Sequence, residues 1–181
     1  MNGEPLVELL PPTLESMKTY YREFERDEAI FADRGKFTLF VYEDGFVERY
    51  FERIMGDPNR ANYLIYAKEK PVGEIALKHI DIEKGIAELS IHLQNDSVKG
   101  KGFGTAAERA LIEKAGKMGL RTLFADAVIM NTPSRHVLEK VGFSFVRDEA
   151  PFAYYALDVR KRWKVNPKIT ENRCFLADDV L

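Results

Sequence analysis

The chain has 181 residues, 45% of them hydrophobic, enough to bury the core of one ordinary domain without a second. Its 27 Lys and Arg against 29 Asp and Glu give a formal net charge of -2, so no global positive field draws it to nucleic acid or to an anionic membrane. A lone cysteine, Cys174, excludes an internal disulfide and fits a reducing compartment. The amino-terminal residues lack the basic and apolar regions of a secretion signal, and no apolar run approaches the roughly 18 residues of a membrane span. The expectation is a cytoplasmic protein with no nucleic-acid and no membrane partner.

Leu6 to Leu10 reads as a short strand stopped by Pro11-Pro12. Thr13 can cap a helix over Leu14 to Phe31, where Leu14, Met17, Tyr20, Tyr21, Phe24 and Ala29 recur at helical spacing. A second amphipathic helix runs from Asp44 to Met55 and is stopped by Gly56-Asp57-Pro58. The rings on these two helices either pack on a sheet or line a substrate groove. Asn62 to Ala67, Val72 to Ile80 and Ala87 to Leu93 then read as an antiparallel meander. In the third of these strands, alternation puts Glu88, Ser90 and His92 on one face and Leu89, Ile91 and Leu93 on the other.

A helix from Gly104 to Met118 and a strand from Arg121 to Ile129 follow. A strand-helix-strand crossover makes that strand parallel to Ala87 to Leu93, so the sheet is mixed. Asn131-Thr132-Pro133 opens a short helix, with Thr132 as the expected cap, and Gly142 ends it. Phe143 to Val146 and Pro151 to Val159 complete the sheet as a hairpin. Residues 161–181 are polar and proline-interrupted and read as a carboxy-terminal tail to a domain spanning residues 1–160.

The stretch Lys99-Gly100-Lys101-Gly102-Phe103-Gly104-Thr105 stands where a strand pattern ends and a helix begins. Its glycines permit positive φ and close approach of a ligand, the first helical turn has unpaired amides, and two lysines and the helix dipole add positive charge. That is the chemistry of a phosphate site; the alternative is a loop that needs glycine only to turn. No glycine is followed by Lys-Ser or Lys-Thr, which removes the nucleoside-triphosphate loop. Gly102-Phe103-Gly104-Thr105-Ala106-Ala107 fits a dinucleotide fingerprint, with Asp126 downstream, but eight residues separate it from Leu93 and the strands before it are antiparallel. A nicotinamide dehydrogenase is therefore a poor fit. His79, His92 and His136 show no metal-ligand spacing, and no nucleophile elbow occurs.

Lys99-x-x-Gly102-x-Gly104 resembles the acetyl-coenzyme A motif of the GNAT superfamily of N-acetyltransferases. Asn131-x-x-Ser134-x-x-x-Leu138-Glu139-Lys140-x-Gly142-Phe143 resembles that family's downstream signature and is most similar to the RimJ/RimL ribosomal-protein acetyltransferase branch. One departure is Lys99, where the family usually carries Gln or Arg. The resemblance implies an α/β (α+β) fold, a mixed and mostly antiparallel sheet with a parallel central pair and flanking helices. It implies acetyl-coenzyme A as acyl donor and coenzyme A as product. Lys99, Gly100, Lys101, Gly102, Phe103, Gly104 and Thr105 would hold the pyrophosphate. His92 and Leu93 would bond the pantetheine arm, and Asn131 and Ser134 would lie near its far end.

Glu88 resembles a strand-borne glutamate that some relatives use to deprotonate the amine; the alternative is that it balances a neighbouring cation. His92 is a second titratable group on the same face, with an ordinary pKa near 6.5. Many relatives have a tyrosine acid where this chain has Leu138, and Tyr154 and Tyr155 are the nearby substitutes. The resemblance favours a protein N-terminal α-amine as acceptor, with a polyamine or antibiotic amine as competitor, and leaves a homodimer open. A non-catalytic acyl-coenzyme A binding module is the rival from another class.

Overall fold

The structure is a computed structural model that describes residues 5–31 and 33–162. In chain order it contains β1 (Glu8–Leu10), α1 (Leu14–Arg22), α2 (Asp44–Met55), β2 (Ala61–Ala67), β3 (Lys70–Asp81) and β4 (Ile86–Leu93). These are followed by α3 (Phe103–Lys117), β5 (Thr122–Val128), α4 (Thr132–Val141), β6 (Ser144–Glu149), β7 (Phe152–Asp158) and α5 (Val159–Arg162). The strands form one sheet in the order β1-β2-β3-β4-β5-β7-β6. Among the described residues β4 and β5 pair in parallel and the other neighbours antiparallel. The mixed sheet expected from the crossover through α3 is therefore present.

Each face of the sheet carries its own core. In β2 and β3, Ile65, Ile75 and Leu77 face α3, whose Ala107, Leu111 and Ala115 recur every four residues and are fully buried against them. On the opposite face Leu64 packs with Met17, Tyr20 and Tyr21 of α1 and with Val47 and Ile54 of α2. Burying a side chain such as Leu64 or Leu111 contributes about 2 kcal/mol. Polar residues alternate with these along the strands, and on the α1/α2 face β3 and β4 place Glu74 opposite His92, Ala76 opposite Ser90 and Lys78 opposite Glu88.

Helix α1 departs from the sequence reading. Thr13 caps it through a capping box with Ser16, as its position suggests, but it ends at Arg22 and not at Phe31, and residues 28–30 form a separate 3-10 turn. The reason lies some seventy residues away, just past β4. The Gln94 side-chain amide donates to the Tyr20 carbonyl at 2.9 Å, Asn95 donates to the Glu23 carbonyl at 3.1 Å, and the Glu25 amide donates to the Gln94 carbonyl at 2.8 Å. Tertiary partners take over the bonds that another helical turn would have made, and the chain bends away across the mouth of the sheet. In α4, Asn131 and not Thr132 is the cap, its Oδ1 accepting from the Ser134 amide at 3.2 Å. Strand β1 is shorter than expected and β3 and β6 longer. Of the expected tail, residues 163–181 lie outside the described residues.

Candidate active site

The parallel pairing of β4 with β5 covers only Ile86 to Glu88 against Thr122 to Phe124. Beyond it the strands diverge: Leu89 to Leu93 keep β3 as their neighbour, and Ala125 to Val128 keep β7. The wedge between them exposes strand edge, main-chain groups that a ligand's amides can bond in place of the missing strand. Three cavities meet at this wedge, and His92 lines all of them.

The largest, about 420 Å³, runs from the glycine loop between α3 and α4 to the wedge. Gly100 and Gly102 take left-handed φ of 70° and 84°, a conformation that a residue with a Cβ reaches only at a cost. At Gly102 a Cβ would also lie 3.1 Å from the Pro5 ring. None of the amides of Gly100 through Thr105 donates to an acceptor among the described residues, and the first bond of the turn is Ala106 to the Gly102 carbonyl at 3.0 Å. Unpaired donors at the positive end of a 15-residue helix form an anion cradle.

Lys99 is placed differently from the other loop residues. Its amide donates to the Asp96 carbonyl, and its ammonium lies 2.6 Å from both Asp27 and Asp96. Burial would depress its pKa, but the two carboxylate hydrogen bonds outweigh that and raise it. Lys99 therefore ties the loop to the segment after α1, with its charge matched locally, and the unpaired donors begin at Gly100. Lys101 is exposed, and the lysine that lines this groove besides Lys99 is Lys140 of α4. Thr105 and Glu108 form part of the floor. Glu108 is 2% exposed, its Oε2 has no partner, and burial pushes its carboxyl up to about 8, so it enters the groove uncharged at neutral pH.

A second cavity, about 240 Å³, lies in the wedge between Glu88, Ser90, His92, Asp126, Asn131 and Ser134, and a third, about 300 Å³, continues beneath α2. The groove and the wedge cavity share Ile30, Ile91, His92, Asn131 and Ser134, which marks where two ligands would meet. Glu88 is one-third exposed there, 3.8 Å from Lys78 and 3.9 Å from His79. The His92 ring edge is partly open to solvent while Nε2 is buried, without a hydrogen bond and 3.6 Å from the Glu74 carboxylate. Burial lowers the pKa of His92 below the ordinary value, with Glu74 opposing, so the imidazole is neutral at pH 7 and able to take a proton.

Glu74 escaped the sequence analysis. It is 3% exposed, and its two oxygens accept from the Tyr21 hydroxyl at 2.8 Å and the Tyr50 hydroxyl at 2.6 Å. Burial and the nearby carboxylate raise the pKa of both tyrosines, that of Tyr21 the more strongly, which keeps them as donors. The signal was a carboxylate interrupting the apolar middle of β3. Glu108 had one too, on the same helical stripe as Leu111 and Ala115. The rings expected on the first two helices divide between both roles: Tyr20 is core, whereas Phe24, just past the end of α1, lines the groove and Tyr50 of α2 the cavity beneath that helix. Tyr155 is 1% exposed, accepts from Arg135 at 2.9 Å and lies 3.4 Å from Glu139, and neither it nor Tyr154 lines these cavities.

Among solved structures, an acetyltransferase from Thermus thermophilus is 24% identical, with a TM-score of 0.65 over 86% of this chain and 99% of that one. The microcin C7 self-immunity acetyltransferase MccE, solved with acetyl-CoA and AMP, is 20% identical, with a TM-score of 0.68 over 87% and 93%. Spermidine N-acetyltransferase from Vibrio cholerae, in complex with CoA and spermine, is 13% identical, with a TM-score of 0.70 over 86% and 96%. At these identities the likeness is one of fold. No curated protein matches the chain in sequence. The model of the acetyltransferase (GNAT) domain matches residues 7–144, most of the chain, and the protein therefore belongs to the GNAT acetyltransferases, which move an acetyl group from acetyl-coenzyme A to an amine.

Proposed function

We propose that the glycine loop holds the pyrophosphate of acetyl-coenzyme A, that the pantetheine arm follows the groove to the wedge, and that a primary amine enters from the wedge cavity. The observation that carries this reading is the run of unpaired amides from Gly100 to Thr105, opening into a groove that ends at the splayed edge of β4. Acetyl-coenzyme A supplies an activated acyl carbon. The chain's own contribution is to align that carbon with the amine and to accept a proton. Main-chain groups near His92 and Leu93 bond the arm, and Asn131 holds the start of α4 against it while Ser134 borders the meeting point. The C–N bond forms as the C–S bond breaks, the ammonium proton passes to the protein, and the thiolate leaves to be protonated by water. No tyrosine acid is needed, which fits Leu138 at the position where many relatives carry one.

Glu88 is the proposed base, on the strength of its position in the wedge cavity and its resemblance to the family's strand-borne glutamate. A second reading assigns the proton to His92, because that residue borders all three cavities and its Nε2 is neutral and unpaired. Thiol release from acetyl-coenzyme A with a panel of amines tests the reaction, and Glu88→Gln against His92→Gln tests the base. Loss of the base lowers kcat by about 100-fold or more, with coenzyme A affinity retained. Coenzyme A binding with no thiol release from any amine would favour a binding module. The RimJ/RimL-like run at Asn131–Phe143 supports a protein N-terminal α-amine as acceptor, while the spermidine enzyme named above speaks for small amines.

A further inference from the structure

The two parts of the acceptor cavity differ in charge. In the wedge, Glu88 and Asp126 face Lys78, an acidic balance suited to an incoming ammonium. Beneath α2 the balance reverses: Arg53, Arg60 and Lys78 line the cavity with Glu74 as the single carboxylate, and both Glu74 oxygens already accept from tyrosines. Arg60 gives its Nε to Asn62 at 2.8 Å, and Arg53 lies over the Tyr50 ring at 5.1 Å. Neither guanidinium lies within salt-bridge distance of a carboxylate among the described residues. Two guanidinium forks, that of the exposed Arg53 and that of the half-buried Arg60, thus border a cavity of about 300 Å³ that continues into the wedge through Lys78, Ser90 and His92, with geometry suited to an anion.

We propose that the acceptor is an amine that also carries an anionic group, a carboxylate or a phosphate, which Arg53 and Arg60 hold beneath α2 while the amine lies in the wedge. This rests on the acetyl-transfer reading for the amine end, and on the cavity alone for the anion. The arrangement orients the acceptor by its two ends, so that the nitrogen meets the acyl carbon at His92 and Ser134, and it selects against polyamines, which would bring only positive charge to the two arginines.

The test uses matched pairs: β-alanine against β-alaninamide, a C-terminally amidated tetrapeptide with Asp at its second position against the same amidated peptide with Asn, and O-phosphoethanolamine and spermidine for the phosphate and polyamine classes. Thiol release measures turnover, and calorimetry on the coenzyme A-loaded protein measures binding of the N-acetylated form of each probe. The anionic member of at least one pair, or the phosphate, is expected to show kcat/KM and affinity at least tenfold better than its neutral partner or spermidine. In the Arg53→Gln, Arg60→Gln double variant that ratio falls to about one, and Arg60→Lys, which keeps the charge, retains most of it. Equal ratios in the wild type, preference for spermidine, or no anionic probe bound at millimolar concentration would each overturn the proposal. If calorimetry discriminates while no probe releases thiol, the anion site stands and the acetyl-transfer reading fails; thiol release without discrimination has the opposite meaning.

Discussion

Glu108 offers the most direct check of the electrostatics. It lies on the inward stripe of α3, 2% exposed, with Oε2 unpartnered and its carboxyl raised from an ordinary 4.5 to about 8 by burial. The folded state therefore holds this proton across a range in which the unfolded chain has released it. Stability attributable to the group is full below the unfolded value and falls as pH rises toward the folded one, by ~1.4 kcal/mol per pH unit. Between about pH 5.5 and pH 8 that amounts to roughly 3 kcal/mol, taking the full linkage slope as an upper bound. Glu108→Gln is near-isosteric and cannot ionise, so its stability lacks this component. Urea denaturation of both proteins at the two pH values measures it: the variant gains on the wild type by about 2–3 kcal/mol at the higher pH, with every other titrating group cancelling in the comparison. Parallel pH profiles for wild type and variant would refute the reasoning and mean that water or a partner reaches the carboxylate.

Gly102→Ala is expected to cost about 1–2 kcal/mol in the same assay, from its left-handed φ of 84° and the Pro5 ring 3.1 Å from the new methyl, and to weaken coenzyme A binding in calorimetry by turning the cradle. Tyr155→Phe removes the hydroxyl that meets Arg135 and Glu139, lowering stability by ~1 kcal/mol while kcat stays within about twofold; a large fall in kcat would restore it as an acid. Tyr21→Phe leaves a buried Glu74 oxygen short of a donor and destabilises by about 1–3 kcal/mol, read as a drop in the urea midpoint. If His92 takes the proton, the acid limb of the kcat/KM profile lies below pH 6.5, as its burial requires, and disappears in His92→Gln.

Local pattern was sufficient wherever a feature is set by neighbours in the chain. The bounds of α2, the cap at Thr13, the crossover that makes β4 and β5 parallel and the glycine loop before α3 follow from periodicity, capping residues and backbone freedom, all of which act over a few residues. Alternation along β4 likewise put Glu88, Ser90 and His92 on one face, where the register with β3 has them. The tertiary structure decided what depends on residues far apart. Helix α1 stops at Arg22 because Gln94 and Asn95 capture the carbonyls of Tyr20 and Glu23, and Lys99 turns to Asp27 because a half-buried ammonium gains more from two carboxylates than from facing an open groove. The wedge exists because β5 leaves β4 after three paired residues to follow β7, and Glu74 is tolerated in the core because two tyrosines from different helices reach it. Spacing records which side of an element a residue takes, whereas the cost of burying its charge is fixed by whatever the rest of the chain brings against it.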